Sequence, residues 1–149
     1  MMPLLDNLRW LESMHGHLGV LAMAALLHPA LLLWSGKPLS RNGKLALGAS
    51  VALVSLAFAL GLWIYPAYRE QVKPALFMAD VSAGLAFETK EHLAWVSLVS
   101  AITAGVAGLA APPKAANVRR IAARVFLASA AACALAAALG TWVAAVRSF

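Results

Sequence analysis

This sequence is short of charge, and the shortage decides its class. Only 12% of its 149 residues are Asp, Glu, Lys or Arg, against 62% hydrophobic, and the mean hydropathy is +0.80. A soluble domain of this size needs a far more polar exterior, so the apolar excess faces something other than water. Cysteine is nearly missing as well. Cys133 stands alone, which excludes an intrachain disulfide framework, a Cys-ligated cluster and covalent C-x-x-C-H haem attachment. In the middle of an apolar run it reads as a small packing residue. The sequence also lacks a Gly-rich phosphate loop, a nucleotide-binding fingerprint, an internal repeat and a Ser/His/Asp arrangement, which leaves soluble-enzyme chemistry little support.

Four stretches contain no Lys, Arg, Asp or Glu: Leu18–Trp34, Leu45–Tyr65, Leu93–Ala111 and Val125–Val146, each of 17 to 22 residues. A helix needs roughly 20 residues to cross about 30 Å of hydrocarbon, and in lipid the backbone must satisfy its own polar groups. Strands of a membrane barrel are about half that length and alternate in polarity. The expected fold class is therefore all-α: an integral membrane four-helix transmembrane bundle with a short N-terminal interfacial segment. It forms a single transmembrane domain over residues 1–149, with spans at about 14–34, 45–65, 91–111 and 121–146. The 66–90 connection between the second and third spans is the only long one, and connections of that length are often functional. Within it, Ala75–Phe87 has an amphipathic pattern.

The charges that remain are sorted by sign. The chain carries a net charge of +6, which in a soluble protein would point to nucleic acid; here its placement gives topology and no nucleic-acid partner is expected. Lys37, Arg41 and Lys44 follow the first span, and Lys114, Arg119, Arg120 and Arg124 lie between the third and fourth. All six carboxylates (Asp6, Glu12, Glu70, Asp80, Glu88, Glu91) fall in the N-terminal arm and the long connection. Lys and Arg score seven in the two short loops against five elsewhere, so the positive-inside rule puts both termini and the long connection outside. That is the periplasmic side of a bacterial inner membrane. The N-terminus does not read as a cleaved signal peptide, because Asp6 and Glu12 stand where a signal is basic and the apolar run is too long. Leu4, Leu5, Leu8, Trp10 and Leu11, set among charges, suggest a short helix lying at the interface. The five tryptophans (Trp10, Trp34, Trp63, Trp95, Trp142) fall near span ends, where amphipathic rings favour the interface. Ala104, Gly105, Gly108, Ala128, Ala132, Ala136 and Gly140 give the last two spans small faces suited to close helix contact.

Chemistry is sought among the ionisable residues at membrane depth. His15 and His17 stand at the outer end of the first span, in HGHLG, and His92 at the outer end of the third, in FETKEHLAW. His28 lies deeper and precedes Pro29, which is expected to kink the helix. His17 and His28 are 11 residues apart, so they share a face within about 20° and lie roughly 16 Å apart along the axis. Glu88, Glu91 and His92 are spaced three and four apart and are expected to converge.

One reading is a b-type haem between the first and third spans, with axial imidazoles from His17 (or His15) and His92 and propionates near Arg9, Arg69, Lys73 or Lys90. His28 would then serve a second haem or line a quinone pocket. This arrangement resembles the small four-helix b-type cytochrome subunits of respiratory enzymes, in architecture and histidine placement. The resemblance implies an electron-transfer role with a quinone or redox partner. A second reading assigns His15, His17, Glu88, Glu91 and His92 to a divalent metal ion in a metal-handling protein. A third binds no cofactor: a non-catalytic accessory subunit that packs on other membrane subunits or on copies of itself. Bland alternatives stand beside each. Outer histidines are often only solvated, Arg69, Glu70, Glu88, Lys90 and Glu91 suit an ordinary surface, and Ser50 or Ser55 would satisfy His28.

Overall fold

The computed structural model describes the backbone of residues 2–149 and the side chains from Asn7 onward. Leu4, Leu5 and Asp6, part of the expected interfacial segment, lie outside the described side chains. Five helices follow one another: α1 (Met2–Trp34), α2 (Arg41–Gln71), α3 (Lys73–Ala79), α4 (Val81–Ala110) and α5 (Ala116–Val146). No strand occurs among the described residues. Helices α1, α2, α4 and α5 are each long and apolar enough to cross a membrane. The chain is an all-α integral membrane four-helix bundle.

The helices overrun the apolar stretches that reveal them. α2 has 31 residues, about 46 Å at 1.5 Å per residue, against roughly 30 Å of hydrocarbon. The expected interfacial helix is continuous with α1, and the 66–90 connection is almost wholly helical. An apolar run marks where lipid ends; the backbone ladder continues past that point into water or headgroups. The surplus of α1 and α4, and most of that of α2, lies at the end that carries the acids and both chain termini, called here the acidic end, whereas α5 overruns at the other end through residues 116–124. The opposite, basic end holds the two short loops.

Packing gives a ring in the order α1, α2, α4, α5. The α4–α5, α5–α1 and α1–α2 seams are extensive and the α2–α4 seam is sparse; α1 and α4 share no substantial interface, so they occupy diagonal corners. Two apolar cores stack along the ring. The larger runs through the membrane level and includes Ala22, Leu26, Leu33, Leu47, Val54, Ala101, Ala104, Ala123 and Phe126. The smaller closes the acidic end with Tyr68, Val72, Leu76, Ala83, Phe87 and Val143. α3 plugs this cap, and Asp80 then starts α4 by accepting from Ser82 N at 2.8 Å.

Polar groups inside the ring are used economically. Pro29, inside α1, has no N–H and frees the carbonyl of Ala25 four residues earlier. The Ser50 hydroxyl of α2 lies 2.9 Å from that carbonyl and equally 2.9 Å from Ala46 O of its own helix. Ser97 and Ser129 donate to each other's carbonyls at 3.0 and 2.7 Å and tie α4 to α5. At the basic end, Arg119 is 1% exposed and donates to Gly36 O, Pro112 O and Pro113 O at 2.8, 2.8 and 2.7 Å. One guanidinium thus closes off the end of α4 and holds the two loops together. Gly36 has φ +72°, a conformation open chiefly to glycine, and there it turns the chain out of α1.

Candidate functional site at the acidic end

Between the two apolar cores lies a polar layer. Its first member is His15 of α1. Its ring is half-buried and Nδ1 donates to Ala57 O of α2 at 3.0 Å. The ring turns its Cε1 edge to Gly61, where an added Cβ would sit 2.7 Å from His15 Cε1. Only a glycine at 61 lets the imidazole enter the α1–α2 seam.

From the far side of the ring, Lys90 of α4 reaches inward. Its Nζ lies 4.8 Å from the centre of the Phe87 ring and 5.6 Å from that of Tyr68, and its side chain passes Gly140 of α5. Cations over aromatic faces are held by the ring quadrupole. Tyr68 and Phe87 stack at 5.0 Å between centroids, and the Tyr68 hydroxyl donates to Arg147 O at 3.3 Å. Glu91 follows, with Oε1 buried and without a hydrogen-bond partner. It falls one turn after Phe87 and one turn before Trp95, both of which meet α2 through Tyr68 and Phe58. Glu91 therefore lies at the α2–α4 seam, near the level of Gly61. Glu12 of α1 completes the layer: Oε2 accepts from Phe149 N at 3.4 Å, while the Arg9 Nε donates to Phe149 O at 2.6 Å. The charges of Glu91 and Glu12 both act on Lys90, and that of Lys90 acts on His15, so these groups form one electrostatic unit.

The other candidates fall outside this unit. His17 is exposed and its Nδ1 donates to Ser13 O at 2.7 Å; His92 is exposed and its Nδ1 donates to Glu88 O at 2.8 Å. Each ring is thereby fixed in the tautomer that leaves Nε2 with a free lone pair. The two sit at the same end but on diagonal helices. Glu88 pairs instead with Lys73 at 2.9 Å. The expected convergence of Glu88, Glu91 and His92 does not occur: the first turns to α3, the second inward, the third back onto its own helix. Among the described residues, no group of three or more His, Cys, Asp or Glu is placed to hold a metal ion. Arg69 is exposed and lines an open groove of ≈ 420 Å³ with Tyr65, Pro66 and Glu70. His28 is exposed on the apolar stretch of α1 beside Leu27 and Leu31. Neither serine expected to satisfy it does so, since the Ser50 hydroxyl lies between Ala25 O and Ala46 O and Ser55 donates to Val51 O.

Sequence reasoning passed over Glu12 and treated Lys90 as a surface charge or a propionate partner. The available signal was periodicity: Lys90 is three residues from Phe87, and Glu12 three from His15, so each shares a helix face with a residue turned inward. Comparison with protein-family models, curated proteins and solved structures finds no match to this chain.

Proposed function

We propose that this protein is a small membrane subunit taking part in electron transfer, and that its b-type haem is completed between chains rather than within one. The observation that carries the reading is the matched pair His17 and His92. Both lie at the acidic end, both are exposed, and both hold the ring by an Nδ1–H bond to their own backbone, as haem- and metal-ligating histidines commonly do. Their diagonal placement leaves the second axial position on each side to a neighbouring chain. The interior offers no competing place, because His15 is committed to Ala57 and Gly61. On this reading Arg69 and its groove suit a propionate or another anion at the membrane surface. The acidic end faces outward, into the periplasm of a bacterium, following the excess of Lys and Arg in the two short loops.

The test is an ultraviolet–visible spectrum of protein purified in mild detergent from haem-replete cells, before and after dithionite. A Soret band that shifts on reduction, lost in His92→Ala and in His17→Ala, supports the reading. A featureless spectrum sinks it. A second reading, an accessory subunit without cofactor, is favoured by His28. An imidazole in the hydrocarbon layer costs free energy unless a partner satisfies it, and on this reading a neighbouring subunit supplies it. Co-purification with larger membrane subunits, weakened by His28→Leu, is its expected result.

A further inference from the structure

At the basic end the loops build a cleft as well as a ring of charge. It measures ≈ 110 Å³ and lies between the start of α2 and the end of α4, lined by residues that include Leu39, Lys44, Leu109, Pro113 and Arg119. Arg119 is 1% exposed, and all its hydrogen bonds run to neutral carbonyls. Among the described residues the one ion pair, Lys73–Glu88, is at the opposite end. A buried guanidinium with no counter-ion leaves positive potential at the wall of the cleft. Lys44 stands exposed on the first turn of α2 with Arg41 three residues before it, so the two share a side of the helix. The start of α2 adds the positive end of its dipole.

The lining is also partly apolar. Leu109 is exposed, and Ile102, seven residues earlier on the same side of α4, is exposed as well, beside the sparse α2–α4 seam where Gly105 and Gly108 meet Leu47 and Val51. Four further exposed cations, Lys37, Lys114, Arg120 and Arg124, share this end, and all six carboxylates of the chain belong to the other. A pocket that is cationic at the membrane surface and apolar directly beneath it matches one chemistry.

We infer that the cleft seats the headgroup of an anionic phospholipid, its phosphate held by Arg41 and Lys44 beside Arg119 and its acyl chains running along Leu109 and Ile102. The inference is independent of the haem reading. Free phosphate would use only the cationic half of the site, and an acidic protein segment would not need the apolar seam.

Full-length protein in mild detergent is titrated with phosphatidylglycerol, phosphatidylcholine or inorganic phosphate, with unfolding temperature and native mass spectra as readouts. Phosphatidylglycerol is expected to raise the unfolding temperature and to remain as one adduct per chain; phosphatidylcholine and phosphate do neither. Near an anionic headgroup each cation is worth about fivefold. Arg41→Gln with Lys44→Gln then weakens phosphatidylglycerol binding on the order of 25-fold, whereas Lys114→Gln with Arg124→Gln costs less than about threefold. Equal loss in both pairs means a diffuse field and overturns the site. So does equal stabilisation by phosphatidylcholine, or by phosphate. All four substituted residues are exposed, and the wild-type comparison of lipids needs no variant.

Discussion

Arg119 shows how one side chain holds an end of the bundle. Its guanidinium takes carbonyls from the turn after α1 and from the α4–α5 connection, groups that no helix ladder serves. Arg119→Met strands Gly36 O and Pro113 O under the loops and leaves Pro112 O only its turn bond from Ala115 N, and we expect a loss of about 3 kcal/mol in a reversible unfolding assay. Arg119→Lys recovers little, because a single ammonium cannot span the same carbonyls. At the acidic end, Gly61→Ala drives a methyl into the His15 ring and should cost about 2 kcal/mol by overpacking. The same change in a His15→Ala background costs almost nothing if the clash is the cause; additive losses in that double-mutant cycle would refute the contact. From the sequence Arg119 counted only as a topology marker, since burial depends on two loops meeting. The environments of Glu12 and Lys90 were hidden for the same reason: their partners come from other helices.

Among elements, α1 and α2 depend on each other through a missing bond. Pro29 deprives Ala25 of its helical donor, and the Ser50 hydroxyl offers one from across the seam, shared with Ala46 O of its own helix at the same distance. Ser50→Ala should destabilise the bundle by roughly 1 kcal/mol, in the range of hydrogen bonds between membrane helices. Restoring the N–H with Pro29→Ala should remove most of that loss, and a cost unchanged by Pro29→Ala would refute the pairing. The proline was visible in the sequence as a helix irregularity, but its remedy lay in another helix. The four spans themselves were legible because lipid imposes a single solution on a long apolar run. α3 and the outer turns of α2 and α4 were legible only in part: the amphipathic stretch Ala75–Phe87 overlaps α3 and the start of α4 but does not show the break at Asp80, because beyond the hydrocarbon charged and apolar residues mix and that constraint lapses.

The whole molecule is polarised. Acids, both termini and a helical cap gather at one end, and exposed cations at the other. Single cysteines placed at Lys37 and Lys114 in a Cys133→Ser background should be shielded from a membrane-impermeant thiol reagent in intact cells, and one at Met78, 82% exposed on α3, should react. The reverse pattern overturns the orientation. The haem and lipid proposals then fall on opposite faces of the membrane, so the variants of one should leave the other intact.

The cap has a consequence for how the chain is made. Its apolar core draws on α2, α3, α4 and, through Val143, on the far end of α5. It cannot close while α5 is still on the other side of the bilayer, because until then the Tyr68–Phe87 stack has an unfilled flank. Closure of the cap therefore reports that the last span has been translocated. A protease patrolling that compartment would find α3 loose on a half-threaded chain and docked through the buried Leu76 on a finished one.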